Sequence, residues 1–325
     1  MPLLLTEADV KSMLTMPLAM ELVELSFRRL SEGEAILQPR RRIRTPEKSI
    51  LHHMAAADLA GGYMGMKIYS VAQGTARFMI PLYNSHTGEP LAFIEADYLG
   101  QMRTGAATGV ATKFMARHDT TGGSRTMAII GTGYQAQTQL EAAVLACKPE
   151  KVLAFGRDQQ RREKFAEEMT ARIGVPVAAA SSAQEAVRDA DVIITMTSSV
   201  KPVLEGAWLK AGVHINAAGS NFAQKAELDA EAVRRCDVIA ADSVEQSKME
   251  AGDLIQAFGD DASRWNSVVE FADIVAGKVA GRTSANQITL FKSNGVATED
   301  VVTAGRIYEI AKAKGIGRNV PMWEG

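Results

Sequence analysis

Near residue 130 an apolar strand breaks on a glycine and restarts as a helix. The stretch MAIIGTGYQA sets Gly131, Gly133 and Ala136 on a G-x-G-x-x-A spacing. The first glycine permits a tight turn, the second lets the backbone approach a ligand, and the small third residue lets the helix pack on the strand. The new helix then offers unpaired N–H groups and the positive end of its dipole, which suits a pyrophosphate. The pattern continues beyond the loop. YQAQTQLEAAVLAC reads as a helix, KVLAFG as a strand and DQQRREKFAEEMTARIG as a helix; VPVAAA, AQEAVRDA, DVIITMT, GVHINAAG and DVIAAD keep the alternation. Short apolar strands alternating with helices imply a parallel sheet covered on both faces. The expected fold class is therefore α/β, with a Rossmann dinucleotide-binding domain. Gly131, Thr132, Gly133, Tyr134, Gln135, Ala136 and Thr197 are its expected nucleotide contacts.

The end of the second strand bears on which dinucleotide binds. An acid about 20 residues past the loop would accept the ribose 2′-OH of NAD. Counting from Ala136, that position is Gly156, and Arg157 follows. Without the acid a 2′-phosphate meets no repulsion, and Arg157 could grip it. This favours NADP(H) over NAD(H). Two alternatives stay open: Asp158 reaching the ribose after a small shift of the loop, and both residues serving only as a solvated helix start.

The loop lies mid-chain, behind about 120 residues of different character. Thr6, with Glu7 and Asp9 behind it, reads as a helix start, and residues 17–32 as an amphipathic helix ending at Gly33. Residues 40–56 and 63–71 favour strands, with Gly61-Gly62 as their turn. FMIPLYN and EPLAFIEA, joined by SHTG, read as a hairpin. LGQMRTGAATGVATKFMAR is a helix of small residues, expected at a packed junction. DTTGGS, after His118, reads as a linker, ITLFKSNG as a strand, and VATEDVVTAGRIYEIAKAKG as a long helix. The expected division is a split α+β domain, 1–118 with 298–325, and a Rossmann domain, 119–297; a continuous two-domain chain with no return is the alternative.

Composition excludes other classes. With 36 Lys+Arg against 38 Asp+Glu, the formal net charge is -2, without the basic excess of a nucleic-acid binder. No apolar run is long enough to span a membrane. The N-terminus carries acids early and lacks a basic region, unlike a secretory signal. Cys147 and Cys236 are too few for a disulfide framework or a zinc site and read as core residues of a cytoplasmic protein. His52, His53, His86, His118 and His214 show no metal-ligand spacing, so no metal is expected. No G-x-S-x-G elbow is present.

Taken in order, QPR near residue 40, Lys67 in GMKIYS, the RTGAATGVATKFMA helix, the glycine loop, HINAAGSN and FKSNG make the chain resemble the ornithine cyclodeaminase/mu-crystallin family over nearly its whole length. That family includes cyclodeaminases, L-alanine dehydrogenases and ketimine reductases, which handle an imine or iminium beside a carboxylate. The resemblance implies a homodimer with a split substrate/dimerisation domain; the hairpin at 77–96 is a candidate interface. It implies that Arg41 holds the substrate carboxylate, with Arg40 and Arg42 one residue away on either side. Lys67 would contact substrate and transfer a proton, and Arg103 would be a second carboxylate ligand with Thr104 beside it. Lys225 and Ser293 would lie near the cofactor, and Asn294 near substrate. Cyclodeaminases carry an aspartate where this chain has Asn221. An amide is no general base, so Asn221 would only orient an amine or a water.

Hydride chemistry draws its reductant from the cofactor and its positioning from the protein. A planar guanidinium grips a carboxylate in bidentate fashion, and a lysine among cations has a lowered pKa, suited to proton transfer near neutrality. Alternate arginines of the Arg40–Arg44 run would face opposite sides of a strand. Arg77 adds a cation that either serves a second substrate carboxylate, as in iminosuccinate, or is a surface residue. Glu95, Asp97 and Asp242 either order the site or, the reading favoured, are surface acids. The expected activity is NAD(P)H-dependent reduction of a 2-imino acid, formed from a 2-oxo acid and ammonia or an amine, to an L-amino acid. The alternatives are ornithine cyclisation with bound NAD and a non-enzymatic nucleotide-binding role.

Overall fold

The computed structural model describes residues 1–117 and 125–322. His118 and the DTTGGS segment lie outside the described residues. The chain forms two compact units, Met1–Thr104 with Gly295–Gly325, and Gly105–Asn294. The division read from the sequence, at 118/119 and 297/298, stands beside these boundaries.

The first unit begins with β1 (Leu3–Leu5), α1 (Glu7–Met13) and α2 (Met16–Glu32). Thr6 and Asp9 form a reciprocal capping box on α1, and Gly33 ends α2 at φ 77°. Strands β2 (Ala35–Arg44), β3 (Ile50–Asp58), β4 (Tyr63–Ala72), β5 (Thr75–Asn84) and β6 (Pro90–Glu95) follow as an antiparallel meander. The stretch 40–56 is thus two strands, not one. A turn splits it, with Lys48 at φ 66° and the Thr45 and Ser49 backbones hydrogen-bonded across it. Helix α3 (Asp97–Met115) carries the chain across the boundary after Thr104.

The second unit runs β7 (Thr126–Ile130), α4 (Tyr134–Cys147), β8 (Lys151–Phe155), α5 (Gln159–Ile173), β9 (Val177–Ala179), α6 (Ala183–Val187), β10 (Val192–Thr195) and β11 (His214–Ala217). It continues through α7 (Ala230–Arg234), β12 (Val238–Ala241), α8 (Val244–Glu250), α9 (Gly252–Phe258), β13 (Val268–Glu270), α10 (Phe271–Val275) and β14 (Thr289–Lys292). Its eight strands pair in parallel in the order β13-β12-β14-β11-β10-β7-β8-β9. Ala128 and Ile130 enter one apolar cluster, Met127 and Ile129 another, so the central strand is buried on both faces. Gly105 explains the run of small residues in α3: a Cβ there would sit 2.5 Å from the Thr138 carbonyl of α4.

The chain then returns to the first unit as α11 (Ala297–Lys314) and β15 (Arg318–Asn319). They complete a seven-stranded sheet, β15-β1-β6-β5-β4-β3-β2, with α11 packed on β2–β5 and α2. No helix among the described residues is long and apolar enough to cross a membrane.

Candidate active site

The glycine loop of the second unit leaves β7 with Gly131 at φ 118°. A Cβ at Gly131 would sit 2.0 Å from the Met196 carbonyl oxygen, so any other residue must displace backbone. Gly133 caps α4 with nothing within 4 Å of an added Cβ, which leaves the helix N-terminus approachable. Ala136 is buried against the sheet. A cleft of about 480 Å³ opens here, and every loop residue from Gly131 to Ala136 lines it, with Arg157, Asp158 and Thr197. A cradle that a side chain would fill, at the positive end of the α4 dipole, fits a dinucleotide phosphate. Arg161 also lines the cleft, a residue the spacing argument missed. The Asp158 carboxylate is occupied as the cap of α5, accepting the Arg161 N–H at 2.9 Å.

The remaining proposed contacts of this unit lie in its loops. Asn221 is half-buried after β11. Lys225, nearby, holds its ammonium 5.0 Å from the Phe222 ring centre. Ser293 donates to Asp242 Oδ2 at 3.3 Å, and the Asn294 backbone N–H donates to the same oxygen at 2.6 Å. Asp242 is therefore not a surface acid but a buried anchor for the turn after β14. Glu95 and Asp97 are exposed, at backbone caps involving Glu7. Glu227 gave no sequence signal, yet its buried carboxylate accepts from Thr197 N–H at 2.6 Å, Gly219 N–H at 2.8 Å and Thr195 Oγ1 at 3.0 Å. It ties together the loops that follow β10 and β11.

In the first unit a group of charges is buried on one face of the sheet. Lys67, on β4, is 4% exposed, and its Nζ lies 3.3 Å from Asp300 Oδ1. Arg103, on α3, donates from Nε to the same oxygen at 3.0 Å and from Nη1 to Glu299 Oε2 at 2.7 Å. Arg40 donates to the Gly295 carbonyl at 3.1 Å and touches Met54 Sδ at 3.4 Å. Gly295, at φ 77°, has no room for a Cβ, which would meet Arg103 Nη1 at 2.6 Å. Burial first, then the Arg103 charge, brings Lys67 down to about 8, against the pull of Asp300. Thr104 is half-buried and turns its hydroxyl back onto the Gly100 carbonyl at 2.6 Å.

Strand register sorts the arginines. Met54 stands opposite Lys67, while Arg42, His52, Tyr69 and Phe78 align across four strands on the same face. The His52 and Tyr69 rings stack at 4.2 Å, and Tyr69 and Phe78 at 4.8 Å. Burial, then Arg42, lowers His52 to about 4. Arg41 pairs with His53 and is exposed on the opposite face, so Arg40, not Arg41, joins Lys67 and Arg103. Between them the ladder slips by one residue after Gln38, which moves the faces by one position. Arg77 pairs with Ser70 and is also exposed on the face away from Lys67. Glu299 and Asp300, in the first turn of α11, were missed because acids there read simply as complements to the helix dipole.

One unit carries a glycine-looped parallel sheet and the other buried guanidinium and ammonium groups; with its relatives, which include pyrroline-2-carboxylate and ketimine reductases, this defines the class as an NAD(P)-dependent oxidoreductase acting on carbon–nitrogen bonds. The profile of the ornithine cyclodeaminase/mu-crystallin family matches residues 1–315, and the chain belongs to that family. It is 35% identical to Delta(1)-pyrroline-2-carboxylate reductase of Bacillus cereus over 265 residues, 79% of this chain and 80% of that protein. The structure of the Thermococcus litoralis enzyme of that name, in complex with NADH and L-proline, superposes with a TM-score of 0.92 at 35% identity, covering 98% of this chain and 100% of that one. An archaeal alanine dehydrogenase dimer with bound NAD superposes with a TM-score of 0.91 at 32% identity, covering 99% of each chain.

Proposed function

We propose that the protein reduces a 2-imino acid to the L-amino acid with NAD(P)H, with Δ1-pyrroline-2-carboxylate, giving L-proline, as the first candidate substrate. The observation that carries this reading is the buried group Arg40, Lys67 and Arg103. Two guanidinium groups suit one carboxylate. A lysine near 8 is mostly protonated at neutrality, yet gives up its proton readily. NAD(P)H, held by the Gly131–Ala136 loop, supplies the hydride when bound. The rest of the chemistry falls to the protein. Arg40 and Arg103 orient the carboxylate, and Lys67 delivers the proton that the reduced nitrogen requires. Arg40 takes the role the sequence assigned to Arg41.

Arg77 faces away from this group, which removes the cation invoked for a second carboxylate and favours monocarboxylates over iminosuccinate. Arg157 and Arg161 at one end of the cleft, with Asp158 engaged as a cap, support NADP(H) over NAD(H). A homodimer is supported by the outward sheet face, where Ile36, Ile43, Leu51 and Met79 are exposed. Two free cysteines suit a cytoplasmic setting.

The test follows reduced-nicotinamide absorbance with Δ1-pyrroline-2-carboxylate, and with pyruvate or oxaloacetate plus ammonia or methylamine. Ornithine with catalytic NAD runs beside it, read as ammonia release. Imine-dependent oxidation of the cofactor is expected, fastest with the cyclic imine. Ammonia from ornithine without net cofactor turnover would replace this reading with cyclodeamination. Nucleotide binding without any turnover would replace it with a binding role.

A further inference from the structure

Asp300 is fully buried on the first turn of α11, and its two carboxylate oxygens are used unequally. Oδ1 takes both Lys67 Nζ and Arg103 Nε. Oδ2 is equally inaccessible to solvent and has no hydrogen-bond partner among the described residues. A buried acceptor left without a donor is costly, so an oxygen of this kind is best explained where a ligand brings the donor. Among the described residues Arg40, Lys67 and Arg103, with Arg42 farther along the same face, outnumber the carboxylates Glu299 and Asp300. A substrate carboxylate meets that positive excess and leaves Asp300 available to a positively charged nitrogen.

We propose that Asp300 is the counter-charge of the reaction: Oδ1 holds Lys67 protonated and aimed, and Oδ2 accepts the N–H of a protonated imine or of the amine product. The second half rests on the function proposed above; the first does not. Among the described residues, the charged and titratable groups about Lys67 are Arg103 on α3, Asp300 on α11, Arg40 on β2, His52 on β3 and Tyr69 on β4, with Glu299 of α11 paired to Arg103. Of these, Asp300 is the carboxylate bonded to the ammonium, so removing its charge must make Lys67 easier to deprotonate.

Asp300→Asn tests both halves. The pH dependence of Lys67 acylation, read by mass spectrometry without substrate, should move to lower pH by about one unit or more. Binding of L-proline should weaken by about 10- to 100-fold, while tetrahydro-2-furoate, which has the ring and carboxylate but no N–H, should bind as in the wild type. Asp300→Glu keeps the charge and should keep the acylation profile, which retains a test should the asparagine variant fail to fold. An unmoved acylation profile would overturn the hold on Lys67. Equal weakening of both ligands would overturn the nitrogen contact and leave only a structural role. Should the wild type bind neither ligand, the proposed substrate class fails with the nitrogen contact, and acylation still decides whether Asp300 governs Lys67.

Discussion

Each unit of the molecule buries a charge cluster, and the two are built differently. In the second unit Lys292 and Asp253 are both 0% exposed and pair at 2.8 Å. Lys292 also donates to the Ser220 carbonyl at 2.6 Å, and Asp253 Oδ1 accepts the backbone N–H groups of Glu227 and Leu228 at 2.6 and 3.0 Å. Glu227 in turn takes two backbone N–H groups and a hydroxyl. Burial raises its carboxyl, and Lys292 pulls it back down. Most of these partners are main-chain groups that cannot leave, so this cluster is a fastening for the loops after β10 and β11. In the first unit Lys67, Arg103, Glu299 and Asp300 bond to one another, side chain to side chain. Side chains can exchange partners for a ligand; backbone amides in a turn cannot. Burying charge is common to both clusters, and the nature of the partner, main chain in one and side chain in the other, separates them.

The sharpest way to break this comparison is to remove the lysine from each cluster. Lys292→Met strands two buried carboxylates and should cost about 3–5 kcal/mol of stability in urea unfolding. Lys67→Met leaves Asp300 paired with Arg103 and removes a desolvated cation, so its stability should change by less than about 1 kcal/mol while turnover collapses. Equal losses of stability would erase the distinction.

A second, smaller effect comes from pH. His52 titrates near 4 in the folded chain and at 6.5 when unfolded, so between those values the unfolded chain binds more protons. Stability should therefore fall as pH drops from 6.5 to 4, by at most about 3 kcal/mol. Lys67 titrates near 8 rather than 10.5, so the same rule makes stability rise with pH between those values. His52→Asn should flatten the acid limb, and Lys67→Met the alkaline one; curves that keep both slopes would count against these shifts. The smallest effect lies at the solvent edge of the nucleotide cleft. Arg157→Ala should shift the NADPH-to-NADH preference in kcat/KM by about tenfold, or ~1.4 kcal/mol, toward NADH without altering unfolding.

Much of the fold was legible because it is written in local terms. The glycine loop, the strand–helix alternation and the Thr6 cap depend on neighbours a few residues apart, as do the small residues of α3. Lys67 and Arg103 were legible only through the family's motifs. The site became less readable wherever faces had to be assigned. A one-residue slip after Gln38 makes Arg40 the buried arginine, and parity across the meander turns Arg77 away. Neither follows from residue type. Asp242, read as a surface acid, is buried and bonded to Ser293 and Asn294, 51 and 52 residues along the chain.

Legible in the sequence alone were a glycine-looped α/β unit and, through the family's motifs, a chemistry of carbon–nitrogen reduction. Backbone turns, periodicity and motif spacing are short-range properties that survive without knowledge of packing. Tertiary structure alone decided which arginine joins Lys67, that Asp300 lies between Lys67 and Arg103, and that Glu227 fastens two loops. Those outcomes depend on strand register and on side chains meeting across 30 to 255 residues of sequence, as Glu227 meets Thr197 and Arg40 meets Gly295. Contacts at such separation are set by which faces the core buries, a condition on the whole chain at once.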